Sequence, residues 1–121
     1  MKRKILSLVA VTLLLPSLAW SHPPTNIKLK YDPIQKILHI EMDHVSTNML
    51  KHYIRKIIIT KNDEEPFEIY FTKQTSGNKV IEDVPLEAES GDTIHVKAVS
   101  LDSGYGEETL IVPEEANPQI K

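Results

Sequence analysis

Apolar residues return at every second position through most of this chain, a period that suits an extended strand with one buried face and does not suit a helix. Ile27, Leu29 and Tyr31 share one phase against Lys28 and Lys30, and Leu38, Ile40 and Met42 share another against Ile37, His39 and Glu41. Phe67, Ile69 and Phe71 alternate with Glu68 and Tyr70, and Ile94, Val96 and Ala98 alternate with His95 and Lys97. The run from Ile54 to Thr60 is apolar in both phases, as a central strand covered on both sides would be. Turn signals separate these runs: Asp32-Pro33, Lys61 to Pro66, Ser76-Gly77-Asn78 and Ser90-Gly91-Asp92. A short strand about Val80 to Ile81 and a last one from about Glu108 to Val112, stopped by Pro113, complete about seven strands. The expected fold is all-β, an immunoglobulin-like β-sandwich. Ile57, Ile59, Phe67, Ile69, Ile94 and Val96 are its predicted core.

The first 21 residues stand apart from this pattern. Lys2-Arg3-Lys4 is followed by the apolar run Ile5 to Leu15, too short to span a bilayer, and then by Pro16 and small residues. That composition predicts a secretory signal peptide over residues 1–21, a mature domain over 22–113 and a flexible tail over 114–121. Cleavage after Ser21, with Ala19 two positions earlier, would make His22 the new N-terminus; cleavage after Ala19, with Ser17 two positions earlier, would not. The expected location is periplasmic or secreted. Removing the three basic residues of the leader leaves 11 basic against 17 acidic side chains, a net charge of −6. A domain this acidic is poorly suited to nucleic acid or to an anionic membrane surface. With no cysteine, the chain has no disulfide, no thiolate ligand and no thiol catalysis.

Between the second and third predicted strands lies Asp43-His44-Val45-Ser46-Thr47-Asn48-Met49-Leu50-Lys51-His52-Tyr53-Ile54. Two imidazoles stand at the ends of a polar connection. The second adjoins the buried strand and is expected to be fixed, while the first is carried by a loop. On that reading His44→Ala would be nearly silent for stability in the metal-free protein.

The pattern of His, a seven-residue connection and His-Tyr-Ile resembles the iron-binding loop of superoxide reductases, the desulfoferrodoxin and neelaredoxin family, and their exported relatives. The resemblance spans about Pro23 to Val112. It implies a surface iron held by four histidines and an axial cysteine thiolate, with His44 and His52 as two of the imidazoles. Val45 replaces the family's usual proline, and the position of the cysteine falls to Asp102 or, in another register, to Ser100. The resemblance therefore implies a metal-binding domain with degenerate or no reductase activity, holding iron or, as the alternative, copper. Asp102 is a candidate oxygen ligand.

His22 is a further candidate, because as a mature N-terminus its α-amine and ring would chelate a metal together, in the manner of a copper histidine brace. His39 and His95 lie on polar phases and are expected to be exposed imidazoles without partners. No Gly-x-Ser-x-Gly nucleophile or glycine-rich phosphate loop is present, and the carboxylate pairs Glu64-Glu65, Glu107-Glu108 and Glu114-Glu115 fall in turns or at ends. The competing expectation is a non-catalytic module that docks a periplasmic protein partner, like the similar sandwich subunits of sulfur-oxidation systems.

Overall fold

The computed structural model describes residues 22–102 and 104–114. The predicted leader and nearly all of the predicted tail lie outside the described residues. Seven strands follow in chain order: β1 (Thr25–Asp32), β2 (Ile37–Asp43), β3 (Ile54–Lys61), β4 (Phe67–Tyr70), β5 (Lys79–Pro85), β6 (Thr93–Ser100) and β7 (Tyr105–Ile111). They form two antiparallel sheets, ordered β1-β2-β5 and β4-β3-β6-β7. In the constant-type immunoglobulin arrangement the fourth strand joins the sheet of the first, second and fifth; here β4 pairs with β3 instead.

The two sheets share one core. Leu38, Ile40 and Met42 from β2 meet Ile57 and Ile59 from β3 and Ile94, Val96 and Ala98 from β6, all of them buried. Each Leu, Ile, Val or Met side chain sealed this way contributes roughly 1.5–3 kcal/mol over an exposed one. Tyr31, also buried, spends its hydroxyl on the β5–β6 connection, donating to the Leu86 carbonyl at 2.6 Å and accepting from the Ala88 N–H at 3.0 Å. The ring thus fills the core while its polar tip holds a crossing between sheets.

Phe67 departs from the predicted core: it is 39% exposed, because it opens the short edge strand β4 and has a neighbouring strand on one side only. Two strands are longer than expected. β5 runs over seven residues, and its inward phase carries Val80, Glu82 and Val84, so a carboxylate interrupts the alternation. β7 begins at Tyr105, three residues before the expected start, since its register is set by pairing with β6 from Val99↔Tyr105 onward.

His39 and His95 require a correction as well. Each is half-buried and paired across its sheet: His39 Nδ1 lies 2.6 Å from Asp83 Oδ1, and His95 contacts Thr109 Oγ1 at 2.9 Å and Glu107 Oε1 at 2.8 Å. Cross-strand register supplies these partners, which lie 12 to 44 positions away in the chain.

Antiparallel connectivity gathers the chain's loops at two ends. At one end lie residues 22–24, the β2–β3 connection (44–53), the β4–β5 connection (71–78) and the β6–β7 turn. That end holds all four candidate site residues. Among the described residues, no helix is long and apolar enough to cross a membrane.

Candidate functional site

The β2–β3 connection leaves its sheet with hydrogen bonds of its own. The His44 N–H donates to the Asn78 carbonyl at 3.0 Å and the Ser46 N–H to the Gly77 carbonyl at 2.8 Å, so the 44–46 segment lies along the β4–β5 connection. One turn then forms over Asn48 to His52: the N–H groups of Lys51 and His52 both donate to the Asn48 carbonyl, at 3.0 and 2.8 Å. Asn48 also accepts from the Leu50 N–H through Oδ1 at 3.3 Å, an Asx turn that starts the reversal. The Ser46 hydroxyl donates to the His52 carbonyl and joins the two halves of the connection.

Gln74 joins this connection to its neighbour. Its backbone N–H donates to the Met49 carbonyl at 2.9 Å, and its side-chain Nε2 donates to the carbonyls of His44 and Ser76, both at 2.7 Å. Two carbonyl acceptors can be met only by the amide NH2, which fixes the orientation of the amide. Oε1 then faces His44 Nδ1 at 2.7 Å and must accept from it. The neutral His44 ring therefore carries its proton on Nδ1 and its lone pair on Nε2.

This reverses the expected order of the two histidines. His44 is 4% exposed and fixed by Gln74, whereas His52, next to the strand, is half-exposed. The ring of His52 turns to the β6–β7 turn, where Nδ1 lies 2.7 Å from Asp102 Oδ2. An ionised carboxylate only accepts, so Nδ1 again bears the proton and Nε2 the lone pair. Two imidazoles at one end of the sandwich thus share a tautomer, each imposed by an oxygen from another loop. Every buried side-chain nitrogen or oxygen among the described residues has a partner.

Asp102, expected as an oxygen ligand, is engaged with His52 as its hydrogen-bond acceptor. His22 lies at the same end. Pro23 packs beside Gly104, and the Pro24 carbonyl lies so close to β7 that a Cβ on Gly106 would stand 2.5 Å from it. Glycine at 106 is what lets the N-terminal segment rest against the strand. Among the described residues, no three His, Cys, Asp or Glu side chains converge as a ready-made metal cluster. The structure joins His52 to Asp102 and sets His44 under Gln74, and His22 is exposed at the same end.

Gln74 is the residue that sequence reasoning missed. It is buried, lies 30 positions from His44, and sits in a connection with no alternation to mark it. Apolar side chains also crowd this end, since Val45, Met49, Leu50 and Leu101 are all exposed on the same connections. No family model matches the chain, and no curated protein matches it.

Proposed function

We propose that this chain is an exported metal-binding domain of superoxide reductase-like type, in which His44 and His52 offer Nε2 to iron or copper. One observation carries the reading: both rings have Nδ1–H engaged with an oxygen acceptor, Gln74 Oε1 and Asp102 Oδ2, each at 2.7 Å. Metal-ligating histidines typically donate the second ring nitrogen in this way, which fixes the tautomer, aims the ring and raises the basicity of the ligating atom. The resemblance of His44 and His52-Tyr53-Ile54 to the superoxide reductase loop points to the same pair.

Two neutral imidazole lone pairs, those of His44 and His52, would suit a divalent first-row ion. A bound iron or copper ion would supply one-electron chemistry. The chain's own residues hold and orient it, Gln74 by fixing His44 and Asp102 by turning His52. With no cysteine in the sequence, no thiolate would donate electron density to a bound iron, which supports degenerate rather than efficient superoxide reduction.

The test is calorimetric titration of the mature domain with Cu(II), Zn(II) and anaerobic Fe(II), compared with His52→Ala and with His44→Ala/His52→Ala. His52 is half-exposed, so the single variant keeps its fold and reports binding alone. Loss of affinity in both variants is expected. Affinity equal to wild type in both would remove the reading. A second reading, a module that docks a protein partner, is favoured by the exposure of Val45 (67%) and Leu50 (72%) on the connection that carries His52. It would stand alone if no metal bound.

A further inference from the structure

β4 and β5 are edge strands, one in each sheet, and the connection between them crosses from one sheet to the other. Residues of that connection, of β5 and of the start of β3 enclose a cavity of about 50 Å³. At about 10–15 Å³ for each water, it has room for a ligand of only a few heavy atoms. Ile54, Phe71 and Val80 give it apolar walls, and Lys73 and Glu82 are the only charged residues that line it. Glu82 is half-buried on the inward phase of β5, between Val80 and Val84. Burial and then the neighbouring Asp83 push its carboxyl above the usual carboxylate range. Among the described residues, neither Glu82 nor Lys73 has a side-chain hydrogen bond or ion pair. Two opposite charges therefore share one cavity without pairing with each other or with anything else described.

A carboxylate facing inward without a partner costs stability, and a titratable group shifted by burial in a cleft is a mark of binding sites. Apolar walls with a few convergent polar groups are the usual make-up of a small-molecule site. The two charges narrow the class of ligand. A simple cation drawn to Glu82 would meet the like charge of Lys73, and a simple anion drawn to Lys73 would meet that of Glu82. A ligand carrying both signs suits both residues, and the flexible four-carbon stem of the exposed Lys73 lets its ammonium follow the ligand's anionic end. We infer that this cavity binds a small zwitterion, an α-amino acid the size of glycine or alanine, with the ammonium on Glu82, the carboxylate on Lys73 and the carbon side against Ile54, Phe71 and Val80. No histidine lines the cavity, so the inference does not rest on the metal-binding reading.

The experiment titrates chelator-treated protein with glycine and alanine, and with acetate and methylammonium as the two halves of the zwitterion, following amide resonances and the melting temperature. The proteins are wild type, Glu82→Gln and Lys73→Gln. Both substitutions keep the size of the side chain, and Glu82→Gln relieves a buried charge, so it folds at least as well as wild type. The expected result is a saturable shift of the Thr75, Val80 and Glu82 amides with either amino acid, an unmoved Ile94 amide, and a rise in the melting temperature of wild type. Acetate and methylammonium should each bind at least tenfold more weakly. Glu82→Gln should melt higher than wild type without ligand, lose at least tenfold in affinity and lose the ligand-induced rise, and Lys73→Gln should also lose affinity. No saturable shift in wild type would mean that the cavity holds water alone and would overturn the site. Methylammonium binding as tightly as glycine, or affinity unchanged in Lys73→Gln, would overturn recognition of a zwitterion. Affinity unchanged in Glu82→Gln would overturn the role of the carboxylate.

Discussion

Gln74 grips His44 from two sides, accepting from its ring Nδ1–H at 2.7 Å and donating to its backbone carbonyl at 2.7 Å. The pair is buried and joins the β2–β3 and β4–β5 connections, so a polar contact does at this end what apolar packing does in the middle of the sandwich. Replacing Gln74 with alanine leaves the His44 ring proton and two carbonyls without their protein partner. An unmet buried polar group costs about 1–3 kcal/mol. Urea unfolding of Gln74→Ala should show a loss of that order, and nitrogen chemical shifts of the His44 ring should show the fixed tautomer giving way to a mixture.

His44→Ala should also destabilise the metal-free domain, by on the order of 1–3 kcal/mol, because it orphans the Gln74 carbonyl oxygen. Ile57→Ala, in the middle of the core, should cost more, on the order of 2–5 kcal/mol. His52→Ala should change stability by less than about 0.5 kcal/mol, since His52 is half-exposed and its contact with Asp102 lies at the surface. Denaturation midpoints of the three variants check the order Ile57, His44, His52.

The sheet positions were legible in the sequence wherever alternation was clean. Leu38, Ile40 and Met42 are buried in the phase that the pattern predicts, and so are Ile94, Val96 and Ala98. Legibility failed where tertiary neighbours decide. Glu82 breaks the inward phase of β5 and hid most of that strand, while Phe67 obeys the pattern yet is partly exposed because β4 is an edge. At the loop end, His44 and His52 were visible as a spaced pair, but the burial of one and the exposure of the other follow from Gln74 and Asp102, 30 and 50 positions away. Such long-range partners leave no trace in local periodicity.

Gly106 should tolerate no side chain. A Cβ there would stand 2.5 Å from the Pro24 carbonyl oxygen and 3.2 Å from Ile27 Cδ1, and the first of these is backbone that can yield only by moving the N-terminal segment. Gly106→Ala should cost roughly 1–3 kcal/mol. Amide exchange should quicken at Thr25 and Ile27, next to the displaced prolines, while Ile57 and Val96 remain protected.

Acid acts on the carboxylates in opposite directions. Asp92 is held below the usual carboxylate range by the Glu89 N–H and then by the Asn62 side chain, and Asp32 likewise by backbone N–H groups, led by that of Gln35. Folded values below unfolded ones mean stability that is full above about pH 4 and is lost as these groups protonate. Glu82 runs the other way, pushed up by burial on the inner phase of β5 and then by the neighbouring Asp83. Its penalty is absent below about pH 4 and develops as pH rises through its folded value. Glu82→Gln should therefore raise the melting temperature at pH 7, and the gain should vanish in acid.

Asp102 offers the sharpest division between orienting a ligand and being one. Its Oδ2 lies 2.7 Å from His52 Nδ1, so in the proposed site it acts through the ring and does not touch the ion. Asparagine at 102 still accepts from Nδ1–H through its amide oxygen but lacks the charge that raises the basicity of Nε2. Alanine removes the acceptor altogether. Loss of an acceptor behind a ligating histidine typically costs about 10–100-fold in metal affinity. Asp102→Ala should fall in that range, and Asp102→Asn should lose only part of it, with stability of both within about 0.5 kcal/mol of wild type. Zn(II) titration of the two variants beside His52→Ala decides the matter. If asparagine lost as much affinity as His52→Ala, the carboxylate would be a ligand in its own right, and the ring of His52 would not need its orientation from residue 102.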